Sequence, residues 1–72
     1  MKELNRLDES VESYKRAIAI NPNFAQAHNN LGNAQKELNQ LDNALKSYKR
    51  AIAINPDFAQ AYNNLGNVQK EL

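Results

Sequence analysis

Apolar side chains along this chain recur at steps of three and four residues. One run consists of Phe24, Ala27, His28, Leu31, Gln35 and Leu38, and another of Leu7, Val11, Tyr14, Ala17 and Ile18. This spacing is typical of amphipathic α-helices, and the alternation of a half-buried strand is absent. Pro22 and Pro56 interrupt the pattern, because proline disfavours helical geometry in the residue before it. The pattern predicts four helices joined by tight turns, near residues 7–20, 24–38, 41–54 and 58–71.

The same pattern occurs twice, at a period of 34 residues. Residues 5–38 and residues 39–72 are identical at 26 of 34 positions. A fixed period of this length indicates stacked supersecondary units, none of which can bury its apolar face alone. We therefore expect a single all-α domain over residues 1–72, an α-solenoid of antiparallel helix pairs.

Polar residues beside the breaks suggest how the helices begin and end. Two pairs have the spacing of a capping box, Asn23 with Gln26 and Asp57 with Gln60. Asn39 tolerates the left-handed conformation of a helix C-cap, and Asp42 can cap the helix that follows.

A helix–turn–helix unit of 34 residues resembles the tetratricopeptide repeat (TPR), and the signature residues fall in phase. In a family frame that begins at Ala25, they are His28, Leu31, Gly32, Ala44, Tyr48, Ala51 and Pro56. Only residues 25–58 form an uninterrupted family unit, so the helix order along the chain is second–first–second–first. Gln35 and Gln69 stand where the family usually has a large aromatic or aliphatic residue. We expect either looser packing there or an added side-chain hydrogen bond.

The first helix of each family unit carries a stripe of amide side chains at steps of three and four. The two stripes are Gln26, Asn29, Asn30 and Asn33, and Gln60, Asn63, Asn64 and Asn67. We expect packing to leave this face free. In TPR arrays the equivalent stripe lines a concave groove that binds extended peptides, so the resemblance implies a peptide-binding role for these eight residues.

The phrase FAQAHNNLGN, at residues 24–33, looks especially like the repeats of O-linked N-acetylglucosamine transferase. In those repeats the asparagine before the Leu-Gly pair forms a ladder that holds the ligand backbone, and the equivalent residues are Asn30 and Asn64. A primary amide can pair with both C=O and N–H of an extended chain. The alternative is that these amides are solvated polar residues that keep the groove wet. We expect no lysine/arginine clamp of the kind that TPR proteins use for acidic tails, because those cations are lacking at Gln26, Asn29, Asn30, Gln60, Asn63 and Asn64.

Charge and composition exclude several other functions. The net charge is +1 and the pI about 8.0, which does not favour nucleic acid. Lys15, Arg16, Lys49 and Arg50 recur on the outer helices without an exposed aromatic platform, so we expect a solvated convex face. The chain has no cysteine and one histidine, so we expect no metal site.

Catalysis and membrane insertion are not expected either. Nucleophile, base and orienting group do not converge anywhere, and no Gly-rich phosphate loop occurs, so we expect no enzyme and no cofactor. No apolar run approaches the roughly 20 residues of a membrane span, and the start is no signal peptide. We expect a soluble, cytoplasmic protein.

The two ends of the array predict self-association. The helix near residues 58–71 lacks a following helix to cover Leu65, Val68 and Leu72, and the helix near residues 7–20 lacks most of the one before it. These deficits are complementary, because Asn5 continues the period in register after Leu72. Two functions therefore stay open: an interaction module for an extended peptide or partner helix, and a structural self-assembler. Self-assembly would be head-to-tail or, as the alternative, a domain-swapped dimer.

Overall fold

The structure is a computed structural model that describes the backbone of residues 2–72 and the side chains of residues 6–72. Its four α-helices are α1 (Lys2–Ile20), α2 (Ala25–Glu37), α3 (Leu41–Ile54) and α4 (Ala59–Glu71). No strand occurs among residues 2–72. Each helix packs on the next in the chain, and α2 also touches α4. Since short turns join the packed helices, neighbours run antiparallel, and the all-α prediction is confirmed.

Helices α2, α3 and α4 agree with the predicted ranges to within one residue at each end, whereas α1 begins five residues earlier than predicted. The difference lies at Asn5, which is helical although its repeat equivalent, Asn39, forms a turn with φ 64°. Folding back at Asn39 lets α3 bury Tyr48 against α2. At Asn5 the chain instead continues α1, which adds backbone hydrogen bonds to a helix already formed.

The turn from α2 to α3 is a Schellman motif, as the prediction for Asn39 implied. The Gln40 N–H donates to the Gln35 carbonyl at 2.8 Å, and the Asn39 N–H donates to the Lys36 carbonyl at 3.0 Å. These bonds satisfy carbonyls at the end of α2 that have no partner within the helix. Asn39 supplies the left-handed residue that this motif requires.

The predictions for the helix N-termini are wrong. The N-cap residues are Phe24, Gln40 and Phe58, and none makes a side-chain cap hydrogen bond. The Asn-Pro turns use a different bond, in which the side chains of Asn21 and Asn55 each accept the N–H two residues later at 3.2 Å. The capping-box glutamines instead bond to asparagines, Gln26 to Asn30 and Gln60 to Asn29. Asp42 lies inside the first turn of α3 rather than before it, where its charge favours the helix dipole.

The core lies where α3 meets both α2 and α4. Tyr48 is completely buried, in a cluster with Ala44 and Val68 that Leu41, Leu45 and Leu65 partly enclose. Its ring lies against Gly32 of α2, where an added Cβ would stand only 2.6 Å from the tyrosine Cε1 atom. Burial raises the pKa of the Tyr48 hydroxyl to about 12. This one side chain therefore joins three helices.

Candidate functional site

Amide side chains of α2 and α4 bond to one another where the first helices of successive units meet. Asn29 is completely buried at this joint. Its Nδ2 donates to Gln60 Oε1 at 3.4 Å, and its Oδ1 accepts from Asn64 Nδ2 at 3.1 Å. Both ends of the Asn29 amide are thus satisfied, which offsets the cost of burying it.

Asn33 extends this network to the core. Its Oδ1 accepts from the Tyr48 hydroxyl at 2.6 Å and from Asn64 Nδ2 at 3.2 Å. The Tyr48 hydroxyl is the polar tip of the buried ring that packs on Gly32. The position of the exposed asparagine is therefore set by the most buried aromatic residue of the chain.

The expectation that packing leaves the whole amide stripe free is wrong for Asn29. The sequence did hold a signal for its burial, which lies in the spacing around Gly32. Residues three positions before and after this glycine share its helical face, and they are Asn29 and Gln35. Because Gly32 marks a close helix approach, polar residues on its face are buried as well, and both of these are.

The remaining predicted site residues lie at the two edges of the α2–α4 pair. At one edge, Gln26 Nε2 donates to Asn30 Oδ1 at 3.0 Å. Asn30 also lines a groove between α1 and α2, together with Leu7, Ser10 and Tyr14. At the opposite edge, Asn63 and Asn67 of α4 are exposed.

The predicted residues thus form three groups rather than one uniform row. Four pair across the α2–α4 joint, namely Asn29, Asn33, Gln60 and Asn64. Gln26 and Asn30 pair within α2. The side chains of Asn63 and Asn67 take part in none of the side-chain hydrogen bonds among residues 6–72.

Among the side chains of residues 6–72, the network leaves specific amide groups unused at this joint. Asn33 uses only its oxygen, as an acceptor, and Asn64 uses only its Nδ2, as a donor. The Asn33 Nδ2 donor and the Asn64 Oδ1 acceptor are therefore available on neighbouring side chains. A donor beside an acceptor is the pair that the C=O and N–H of an extended backbone require.

Two buried polar residues of α2, the departure Gln35 and the signature residue His28, form hydrogen bonds. The buried Ser47 hydroxyl donates to Gln35 Oε1 at 2.6 Å, so the second of the two expectations for Gln35 is confirmed. His28 is buried near the start of α2, where its Nε2 donates to the Pro22 carbonyl at 3.1 Å. It packs as the signature position requires.

The described side chains show no other obvious chemical centre. They include no group of three or more His, Cys, Asp or Glu residues placed to hold a metal ion. Lys15, Arg16, Lys49 and Arg50 are all exposed. Among residues 2–72, no helix has both the length and the apolar character that crossing a bilayer demands.

Stacked helix pairs at a 34-residue period define this molecule as a helical repeat protein. A family model described as a TPR repeat matches residues 2–38 and residues 32–72. The chain therefore belongs to the TPR repeat family, whose repeats in general act as non-catalytic modules of protein–protein interaction. None of the curated proteins is similar enough to the chain to count as a match.

Proposed function

We propose that the chain is a protein-interaction module that holds an extended peptide along the amide face of α2 and α4. The observation that carries this proposal is the unused pair at the joint, the Asn33 Nδ2 donor beside the Asn64 Oδ1 acceptor. Their other amide atoms are fixed by Tyr48 and Asn29, so binding a peptide would order little that is not already ordered. Membership of the TPR repeat family supports the same general role, because these repeats in general mediate protein–protein interaction.

Amides that bond to backbone give little preference for the side chains of the ligand. We therefore expect binding to many extended sequences rather than to one motif. Lysines and arginines are absent from the eight predicted positions, so an acidic tail has no advantage there. A partner's helix is a poorer occupant, because its backbone groups already bond to one another.

Peptides with blocked backbone donors test this proposal directly. An array of short unstructured peptides would be compared with the same peptides carrying N-methylated backbone amides. Binding is expected to the unmodified set and to be lost on methylation, because the Asn64 acceptor then has no N–H to receive. Equal binding to both sets would contradict backbone recognition.

Alanine variants locate the binding face. Gln26→Ala and Asn30→Ala remove amides that, among residues 6–72, bond to each other and not to a neighbouring helix, so weaker binding with unchanged helicity is expected. Each lost neutral hydrogen bond is worth about 0.5–1.5 kcal/mol. Asn64→Ala also removes bonds to Asn29 and Asn33, so its stability is measured in the same samples. Lys49→Ala, on the outer face, is the matched control and should bind as the parent does.

A second candidate function is self-association as a structural repeat. It is favoured by the open surface at Gly66, where an added Cβ would meet nothing within 4 Å, whereas the equivalent Gly32 is covered by Tyr48. Tyr62 on α4 and Leu72, the residue that follows α4, are exposed and add apolar surface. Sedimentation over a wide concentration range separates the two candidates, because only self-association makes the average mass rise with concentration.

A further inference from the structure

One helix contact inside the chain is defined by three side-chain features. Helix α3 places the Tyr48 ring on Gly32 of α2, with the tyrosine hydroxyl donating to Asn33 at 2.6 Å. Next to it, the Ser47 hydroxyl donates to Gln35 Oε1 at 2.6 Å. Gly32, Gln35, Ser47 and Tyr48 are all buried by this contact.

Helix α4 carries the same residues that contact α3 on α2, but no helix packs on them among residues 2–72. Gly66 corresponds to Gly32, Asn67 to Asn33 and Gln69 to Gln35, and the residue type is conserved at each position. Asn67 and Gln69 are exposed, and the space around Gly66 is open to 4 Å. The surface that α3 covers on α2 is thus repeated on α4 and faces solvent.

Helix α1 carries the same two residues with which α3 contacts α2. Tyr14 corresponds to Tyr48 and Ser13 to Ser47, again with the same residue types. Tyr14 is half-buried and lines the groove between α1 and α2, and Ser13 is exposed. Both halves of the internal contact therefore occur a second time, on different faces of one molecule.

We propose that α1 of a second copy packs on α4 of the first and reproduces the internal α3–α2 contact. The Tyr14 ring of the second copy lies on Gly66, its hydroxyl donates to Asn67, and its Ser13 hydroxyl donates to Gln69. This proposal rests on the self-association candidate and specifies which helices of the two copies meet. We call this contact between α1 of one copy and α4 of another the intermolecular joint. It makes a second copy of this chain the occupant, because the chain carries the complement of its own open face.

The amides beside this contact match in the same way. Inside the chain, Asn64 donates to Asn29 and Asn33, and Asn29 donates to Gln60. The equivalent intermolecular donors are Asn30 of the second copy, toward Asn63 and Asn67, and Asn63, toward Gln26 of the second copy. The amides at the two edges of the α2–α4 pair bond to no neighbouring helix among residues 6–72. All of them gain such partners at the intermolecular joint.

The two faces of the joint are different surfaces, so the contact is heterologous. Such a contact leaves one free face at each end of a dimer, and it extends or closes into a ring. The amide row then continues from one molecule to the next. Head-to-tail stacking is distinguished in this way from a domain-swapped dimer, which has no free end.

Two variants block the opposite faces without changing a group that is packed inside the free chain. Gly66→Gln places a polar side chain where the Tyr14 ring would lie, and Ser13→Glu places a carboxylate against the Gln69 oxygen. Gly66 has open space around it and Ser13 is exposed, so both variants should keep the parent's helicity by circular dichroism. Lys49→Ala is the control on an unrelated exposed face.

Sedimentation velocity across a wide concentration range gives the decisive result. The average mass of the parent and of Lys49→Ala should rise with concentration. Each blocking variant alone should raise the apparent dissociation constant by about tenfold or more, the effect of forcing bulk into a close helix contact. An equimolar mixture of the two variants should form a one-to-one pair and nothing larger, because one intact α4 face then meets one intact α1 face.

Different failures overturn different statements. If the parent stays monomeric and folded at every concentration, both the proposed α1–α4 contact and the self-association candidate are wrong. If the parent associates and either blocking variant associates equally well, only the proposed α1–α4 contact is wrong. Self-association then uses another geometry. A mixture that remains monomeric also overturns the joint. Peptide binding to α2 and α4 is unaffected by any of these results.

Discussion

At the scale of single residues, the two glycines show how one residue type has two environments in nearly identical sequence surroundings. Gly32 admits the Tyr48 ring so closely that an added Cβ would lie 2.6 and 2.8 Å from two ring carbons. Gly66 has open space on the same helical face. The sequence around them differs little, so the contrast comes from whether a neighbouring helix is packed there.

This contrast predicts opposite effects of alanine at the two positions. Gly32→Ala should lower the free energy of unfolding, because overpacking a core typically costs about 1–3 kcal/mol. Gly66→Ala should raise it by up to about 1 kcal/mol, since alanine is the better helix former. Urea unfolding at low protein concentration measures both, and each variant serves as the other's control. A similar change in both variants would show that the Tyr48 contact does not distinguish them.

The Tyr48 hydroxyl predicts a loss of stability at alkaline pH. Burial raises the pKa of this group to about 12 from an ordinary value of 10.0, so between these values the folded chain keeps a proton that the unfolded chain has released. The free energy of unfolding that the protonated Tyr48 hydroxyl contributes is fully present below pH 10 and is lost as the pH rises toward 12.

Tyr48→Phe is the matched control for this pH dependence. It keeps the ring against Gly32 but has no hydroxyl to ionise. Across the same pH window the parent should lose free energy of unfolding relative to the variant, as measured by urea titrations at each pH. Parallel pH profiles would mean that another group causes any alkaline loss.

At the scale of helices and turns, the equivalent asparagines of the two repeats have two different structures. Leu38-Asn39-Gln40 forms a Schellman turn, with Asn39 at φ 64°, whereas Asn5 continues α1. Asparagine is compatible with both, because it tolerates the left-handed region and costs less in a helix than glycine does. The choice is made by what the turn allows the chain to bury.

Alanine substitution at the two asparagines tests this interpretation. Asn39→Ala should lower the free energy of unfolding by about 1 kcal/mol, because the left-handed region costs an ordinary L-residue about 1–2 kcal/mol and asparagine tolerates it better than alanine. Asn39→Gly should be neutral or stabilising. Asn5→Ala, the matched control, should also be neutral or stabilising, since this residue is helical. Thermal unfolding by circular dichroism compares the three, and equal losses at both positions would contradict a turn specific to Asn39.

The helices could be predicted from the sequence because their signals are local. Apolar spacing and the two Asn-Pro turns place α2, α3 and α4 to within one residue. The start of α1 and the burial of Asn29 could not be obtained in this way, since both depend on whether a neighbouring helix is present. The capping predictions failed for a related reason: Gln26 and Gln60 bond to asparagines rather than to the helix ends. For the candidate site, spacing identified the amides, and tertiary packing determined which are satisfied.

At the scale of the whole molecule, the chain is a thin stack, with extents of 35 × 31 × 16 Å. Each helix packs mainly on its neighbours in the chain, as expected of a solenoid. In such an array the stability is close to a sum of repeat terms and nearest-neighbour interface terms. A single core in a chain of this size rarely contributes more than about 3–5 kcal/mol, so one added interface is a large fraction of the total.

A tandem chain therefore tests whether the open faces of α4 and α1 form a stabilising interface. In it, Asn5 of a second copy would follow Leu72 directly, which continues the 34-residue period. The midpoint of guanidinium unfolding should be higher than that of the parent at low concentration, because the added contact buries Tyr14 and covers Gly66. Full burial of a large apolar side chain is worth about 1.5–3 kcal/mol.

The control is the same tandem with Gly66→Gln at the internal joint, whose midpoint should fall back toward that of the parent. The tandem also predicts a change of conformation at the joint. The second copy's Asn5 would now occupy the position of Asn39, between two long helices that gain by folding back on each other. Alanine at this Asn5 should therefore destabilise the tandem although it does not destabilise the single chain. A tandem with the parent's midpoint, insensitive to both substitutions, would show that the two faces contribute no interface and that the α3–α2 contact is not reproduced on the open face of α4.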